Sequence, residues 1–96
     1  MKHKLAFFTS SRSDMTILEP LLNEIKKNKN FDYLLFVHGT HLEKNYGNTI
    51  KDIKKLNFNI TSKFLSVNKQ DDEFGIVKSL EMTQSGVNNI FKKFKF

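Results

Sequence analysis

The sequence contains no cysteine. That excludes a disulfide framework and any metal site built on thiolates. One proline, Pro20, and four glycines are too few and too scattered to make a linker or a low-complexity segment. Neither of the common glycine-rich nucleotide loops, G-x-x-x-x-G-K-[ST] or G-x-G-x-x-G, is present. Among the basic residues, Arg12 stands alone as an arginine. No apolar run approaches the roughly 20 residues of a membrane span. The run behind Met1-Lys2-His3-Lys4 is about four residues, against about 7–15 for a signal-peptide core. These absences predict a cytoplasmic chain with no membrane partner.

What is present is a globular composition. Ninety-six residues at 39% hydrophobic and 27% charged make one domain with a modest core. The net charge is +6. Its lysines fall in dispersed helical pairs (Lys26-Lys27, Lys54-Lys55, Lys92-Lys93), and specific DNA readers lean on arginine. A solvated lysine-rich surface with a preference for anions therefore fits better than a nucleic-acid surface, and no nucleic-acid partner is expected.

The organising stretch runs from Lys4 to Leu22. Leu5 to Phe8 is a short apolar run of the kind a buried parallel strand makes. The polar turn Thr9-Ser10-Ser11-Arg12-Ser13-Asp14 follows, and apolar residues then return at helical spacing at Met15, Leu18, Leu21, Leu22 and Ile25. Strand, polar turn and helix make the first half of a βαβ unit. The turn gathers free N–H groups and the positive end of a helix dipole, which favours an anion.

The predicted elements alternate. A strand over Lys4–Thr9 precedes a helix from about Asp14 to Lys27, capped by Ser13 or Asp14, with Pro20 loosening or kinking it. A central strand follows over Phe31–His38, then a loop or single helical turn from Thr40 to Gly47. A short helix is expected over Asn48–Leu56, capped by Asn48 or Thr49. A half-exposed strand over Asn59–Leu65 and a polar loop lead to a helix over Glu73–Lys93, capped by Asp71 or Asp72. That last helix carries an apolar face of Phe74, Val77, Leu80, Val87, Ile90 or Phe91, and Phe94. This β-α-β-α-β-α order predicts an α/β fold, a three-stranded parallel Rossmann-like sheet with helical crossovers. Residues 1–96 then form a partial amino-terminal domain that stops before a fourth strand, which leaves the first strand at an open, association-prone edge.

Two readings of the Ser10–Asp14 turn stand side by side. In one, it is a phosphate site with Arg12 as its cation. In the other, it is a polar turn with Arg12 in solvent. His38 and His41 have no third ligand, so no metal site is expected. His41 follows the second strand at the sheet edge where α/β folds bind ligands, as an acid/base group or as an ordinary surface histidine. The Phe91–Phe96 end alternates aromatic and basic residues, which would suit a membrane or RNA contact, but it reads rather as the last turn of an amphipathic helix whose docking partners are missing.

Two blocks carry a family resemblance. Thr9-Ser10-Ser11-Arg12-Ser13-Asp14 with Leu18-Glu19-Pro20-Leu21-Leu22 resembles the opening T-G-[ST]-R-A-D-Y-x-x-L-x-P-L-[IL] of the hydrolysing UDP-N-acetylglucosamine 2-epimerases. Gly39-Thr40-His41-Leu42-Glu43-Lys44-Asn45-Tyr46-Gly47-Asn48-Thr49 resembles their second signature, G-x-H-L-x-x-x-[FY]-G-x-T. Phe58-Asn59-Ile60 is similar to the start of their third strand, and Asp72-Glu73 through Leu80 to the helix before their fourth. The resemblance implies part of a glycosyltransferase-B-like enzyme. That enzyme takes UDP-N-acetylglucosamine or a related UDP-diacetamido sugar and eliminates UDP. It then hydrates the glycal to an N-acetylmannosamine-type sugar for sialic or legionaminic acid synthesis. It implies no cofactor and a homo-oligomer when full length. It further implies that Arg12, Asp14 and Thr16 bind substrate, with Arg12 on the diphosphate, and that His41 faces the sugar as a catalytic residue. Ser10 replaces the family's glycine and Met15 its tyrosine. The family's acidic catalytic residues and second domain lie outside these 96 residues, so the fragment alone is expected to be inactive. The alternative is a free-standing α/β anion-binding or regulatory module without catalysis.

Overall fold

The computed structural model describes residues 3–43, 47, 49–67 and 73–94. The expected caps Asn48, Asp71 and Asp72, the 44–46 part of the second signature and the last two aromatic-basic residues lie outside the described residues. The elements run β1 (His3–Thr9), α1 (Arg12–Lys27), β2 (Phe31–Val37), a 3₁₀ turn (Gly39–Leu42), α2 (Ile50–Lys55), β3 (Ser62–Lys63) and α3 (Glu73–Lys93). The sheet has the order β1-β2-β3 and is parallel throughout, the Rossmann-like arrangement expected of this alternation. β2 is central because Leu35, Phe36 and Val37 are apolar on both faces, and all three are fully buried. β1 lies in register beside it, with Leu5 opposite Tyr33 and Phe8 opposite Phe36.

Successive side chains point to opposite faces, and the helices sort accordingly. Leu35 and Val37 share one core with Met15 and Leu22 of α1, Ile50 and Ile53 of α2, and Phe58. Phe36 points the other way, stacks on Phe8 and meets the ring of Phe94, which follows α3. Thus α1 and α2 cover one face while the end of α3 covers the other.

Two helix starts differ from the sequence expectation. α1 starts two residues early, and its cap is Ser11. Ser11 has extended backbone, and its hydroxyl accepts from the Asp14 N–H at 3.5 Å. Asp14 stands inside the first turn because its carboxylate turns back onto Ser10. The helix then passes through Pro20 without a break. Pro20 leaves the Thr16 carbonyl without its usual N–H partner, and Thr16 is exposed, so solvent can hydrate it. α2 begins at Ile50 with Thr49 at its N-cap position, one of the two expected caps, but the Thr49 hydroxyl lies against His41 and makes no cap bond.

β3 is reduced to two residues. Before it, side chains take over the ladder: the Thr61 hydroxyl accepts from the Leu35 N–H at 3.0 Å and the Tyr33 hydroxyl accepts from the Asn59 N–H at 2.9 Å. α3 has the expected span, but the amino-terminal half of its apolar face is uncovered. Phe74, Val77 and Leu80 are each more than half exposed, whereas Ile90 is buried. Its close contact lies farther along, where Gly86 gives room to the ring of Phe64.

β1 pairs with β2 alone among the described residues, at one end of the three-strand order. An apolar groove of about 510 Å³ runs along it, lined by Leu5, Phe7, Leu21, Ile25 and Phe31. No described helix is long and apolar enough to cross a membrane.

Candidate functional site

The carboxyl ends of β1 and β2 are tied together by main-chain bonds. The His38 N–H donates to the Thr9 carbonyl at 3.0 Å, and the Thr40 N–H to the Ser10 carbonyl at 2.8 Å. The Thr40 hydroxyl donates to the same carbonyl at 3.0 Å. This proximity requires glycine at position 39. Its φ is +67°, and a Cβ there would lie 2.6 Å from the Ser10 carbonyl oxygen. Gly39→Ala is therefore expected to destabilise the protein by at least about 1–3 kcal/mol, the scale of left-handed strain at a non-glycine residue. A denaturant titration of both proteins measures it, and unchanged stability would contradict the close approach.

Ser10 stands where the resemblance expects glycine, and the structure gives it a definite task. Its N–H and its hydroxyl both donate to Oδ2 of Asp14 at 2.8 Å. The Ser10 N–H bond holds the Asp14 carboxyl below its ordinary pKa, with help from the Ser10 hydroxyl, against a smaller opposing effect of burial. Asp14 thus braces the turn from within, and this conformation directs its carboxylate at Ser10.

Arg12 and Thr16, one turn apart at the start of α1, line a cleft of about 160 Å³ together with Glu19, His41, Thr49 and Asp52. Three of the four residues singled out in the sequence therefore meet at one place, and Asp14 stands behind them. The Thr16 hydroxyl donates to the Arg12 carbonyl at 3.1 Å. The Arg12 guanidinium reaches across the cleft to Asp52 of α2, Nη2 to Oδ2 at 2.9 Å.

His41 is 1% exposed, at the base of the cleft. Its Nε2 lies 2.8 Å from the Thr9 hydroxyl and its Nδ1 lies 2.7 Å from the Thr49 hydroxyl. The Thr9 hydroxyl also faces the Ser11 carbonyl at 3.4 Å. In the neutral ring one of these nitrogens donates to its threonine and the other accepts. Burial pushes the His41 pKa down, partly offset by the charge of Asp14. The imidazole is therefore a neutral bridge joining the end of β1 to the start of α2.

His38 and His41 turn to different partners. Nδ1 of His38 lies 2.8 Å from the hydroxyl of Ser66, and its ring stacks on Phe64 at 4.7 Å. Among the described residues no three histidine, aspartate or glutamate side chains gather as metal ligands.

Sequence reasoning missed Thr9, Thr49 and Asp52 as members of this site. Thr49 closes the second signature, so its link to His41 was within reach of a motif reading. Asp52 carries no local signal; only the packing of α2 beside α1 brings it to Arg12.

The fold defines a Rossmann-like α/β unit with a cleft at the carboxyl edge of its sheet. No protein-family model matches the chain. Over 94 residues, 98% of the chain, it is 29% identical to the GDP/UDP-N,N'-diacetylbacillosamine 2-epimerase (hydrolyzing) of Campylobacter jejuni, of which it covers 24%. Over 60 residues it is 32% identical to the UDP-N,N'-diacetylbacillosamine 2-epimerase (hydrolyzing) of Legionella pneumophila, covering 62% of the chain and 16% of that protein. The chain thus spans a quarter or less of the length of these relatives. The family resemblance read from its two blocks stands, and the chain is consistent with a fragment of a hydrolysing UDP-sugar 2-epimerase.

Proposed function

We propose that the chain is part of the amino-terminal Rossmann-like domain of a glycosyltransferase-B-like, hydrolysing 2-epimerase acting in the cytoplasm. Its substrate is UDP-N-acetylglucosamine or a UDP-diacetamido sugar, and the product is a mannosamine-type sugar of the kind used for sialic or legionaminic acids. In this reading Arg12 holds the diphosphate, Thr16 lies beside it, Asp14 fixes the turn that presents them, and His41 supports the sugar side of the cleft. The observation that carries the reading is the meeting of Arg12, Thr16 and His41 at one cleft, from two blocks separated by a whole strand. The relatives' names support the nucleotide-sugar class. The placement of α3 on the face opposite α1 and α2 also suits a right-handed crossover past β1.

The test is turnover by the full-length protein. UDP release with 2-epimerised sugar is expected from UDP-N,N'-diacetylbacillosamine or UDP-N-acetylglucosamine. UDP binding without release from either sugar would favour the non-catalytic anion-binding module. Absence of UDP binding would overturn the site.

A further inference from the structure

We propose that Asp52 is an internal counter-ion of the cleft, which a diphosphate must displace from Arg12 in order to bind. The inference rests on the reading of Arg12 as the diphosphate cation and adds a control on that cation. Three observations carry it. The guanidinium is already engaged, 2.9 Å from the carboxylate of Asp52. Asp52 and Arg12 line the same cleft, with Thr16 and His41. Finally, Asp52 is presented from a fixed backbone: Ile50 and Ile53 are buried on either side of it, and Thr49 is bonded to the buried His41.

The pair is well exposed, with 75% of the Arg12 side chain and 51% of the Asp52 side chain accessible. An exposed ion pair adds little to stability. Its consequence lies in the cleft, where Asp52 occupies the cation and sets a negative charge beside any incoming anion. A ligand bearing one weak negative charge gains little by exchange with a carboxylate. A diphosphate, with more charge and two phosphates to offer a planar fork, displaces it. Once released, Asp52 remains on α2 at the rim, where its repulsion helps the nucleotide product to leave.

The experiment is UDP titration calorimetry on the full-length protein, comparing wild type with Asp52→Asn, Arg12→Ala and Glu24→Gln. Glu24 lies on α1 in an ion pair with Lys27, away from the cleft, and controls for the same change in net charge. Asp52→Asn is expected to tighten UDP by about 3–10-fold, the scale of one unit charge at close range near a protein surface. Glu24→Gln should leave affinity within about twofold, because the charge is distant and screened. If Asp52→Asn binds UDP like wild type or like Glu24→Gln while Arg12→Ala still weakens it, the counter-ion is overturned and the diphosphate site survives. If Arg12→Ala binds UDP like wild type, the site itself is lost, and Asp52 with it.

Discussion

Arg12→Ala in the full-length protein is expected to weaken UDP binding by about 1.5–3 kcal/mol, the range for a hydrogen bond to a charged group. Several facts place the loss within that range. Arg12 is the arginine at the start of α1, where the helix dipole adds its own attraction for an anion, so binding is reduced and not abolished. The guanidinium must also leave Asp52 before it can reach phosphate, which draws the net loss toward the lower end. Arg12→Lys should recover only part of the affinity, because an ammonium lacks the planar two-point contact. Calorimetry on the three proteins decides the matter: an Arg12→Ala affinity equal to wild type would remove the diphosphate from this turn.

The fold was legible where hydrophobic pattern and burial coincide. Leu35-Phe36-Val37 is apolar without alternation, and it is the fully buried centre of the sheet. The Thr9–Asp14 break between an apolar run and a helical stripe located the β1–α1 junction, although the turn itself is only Ser10-Ser11, because Thr9 ends β1 and Arg12 opens α1. Legibility failed where a side chain took over a main-chain partner. Thr61 and Tyr33 shortened β3 by supplying hydroxyls to the ladder, and Thr49 gave up its cap to His41. It failed again in α3, where the apolar stripe, interrupted at Thr83-Gln84-Ser85, did not tell which half of the helix is covered. Periodicity reports which face is apolar, not whether a neighbour covers it, and Phe74, Val77 and Leu80 lie exposed.

In the candidate site, Arg12, Thr16 and His41 were found because each lies in a motif block. The actual environment of His41 was not legible, since its partners come from the end of β1 and the start of α2. Read from sequence, it was either a group facing the sugar or a surface histidine. In the structure it is buried, with both ring nitrogens bonded. A surface role is excluded, and any action on the sugar must begin from a neutral ring braced by two threonines.

His41→Ala is accordingly expected to cost both stability and turnover. Truncation leaves the hydroxyl of Thr49, 6% exposed, without His41, and that of Thr9, fully buried, with only its 3.4 Å bond to the Ser11 carbonyl. At about 1–3 kcal/mol for a buried polar group left unsatisfied, the loss of stability should be about 1–3 kcal/mol. Turnover of UDP-sugar by the full-length protein should fall at least about tenfold, since general acid–base groups typically supply 10²- to 10⁴-fold. His41→Asn separates the causes. Its amide keeps a polar partner near the place of Nδ1 for Thr49, and it is too short to reach Thr9. Measured well below its melting temperature, a drop in rate with UDP affinity unchanged assigns the imidazole to a step of the reaction. A parallel fall in affinity and rate assigns it to holding the end of β1 and the start of α2 together, the two sides of the cleft. The pH dependence gives a readout independent of activity. Burial lowers the His41 pKa in the folded protein, while Asp14 on α1 and Asp52 on α2 oppose the shift and His38 reinforces it. The unfolded chain therefore binds its proton first, below about pH 6.5, and stability is full above that value and lost as pH falls toward the folded pKa. Burial lowers the His38 pKa as well, so replacing His41 should flatten this loss in part and leave the remainder to His38. A wild-type melting temperature that stays constant from pH 7.5 to about 5.5 would show that neither ring is held neutral by burial.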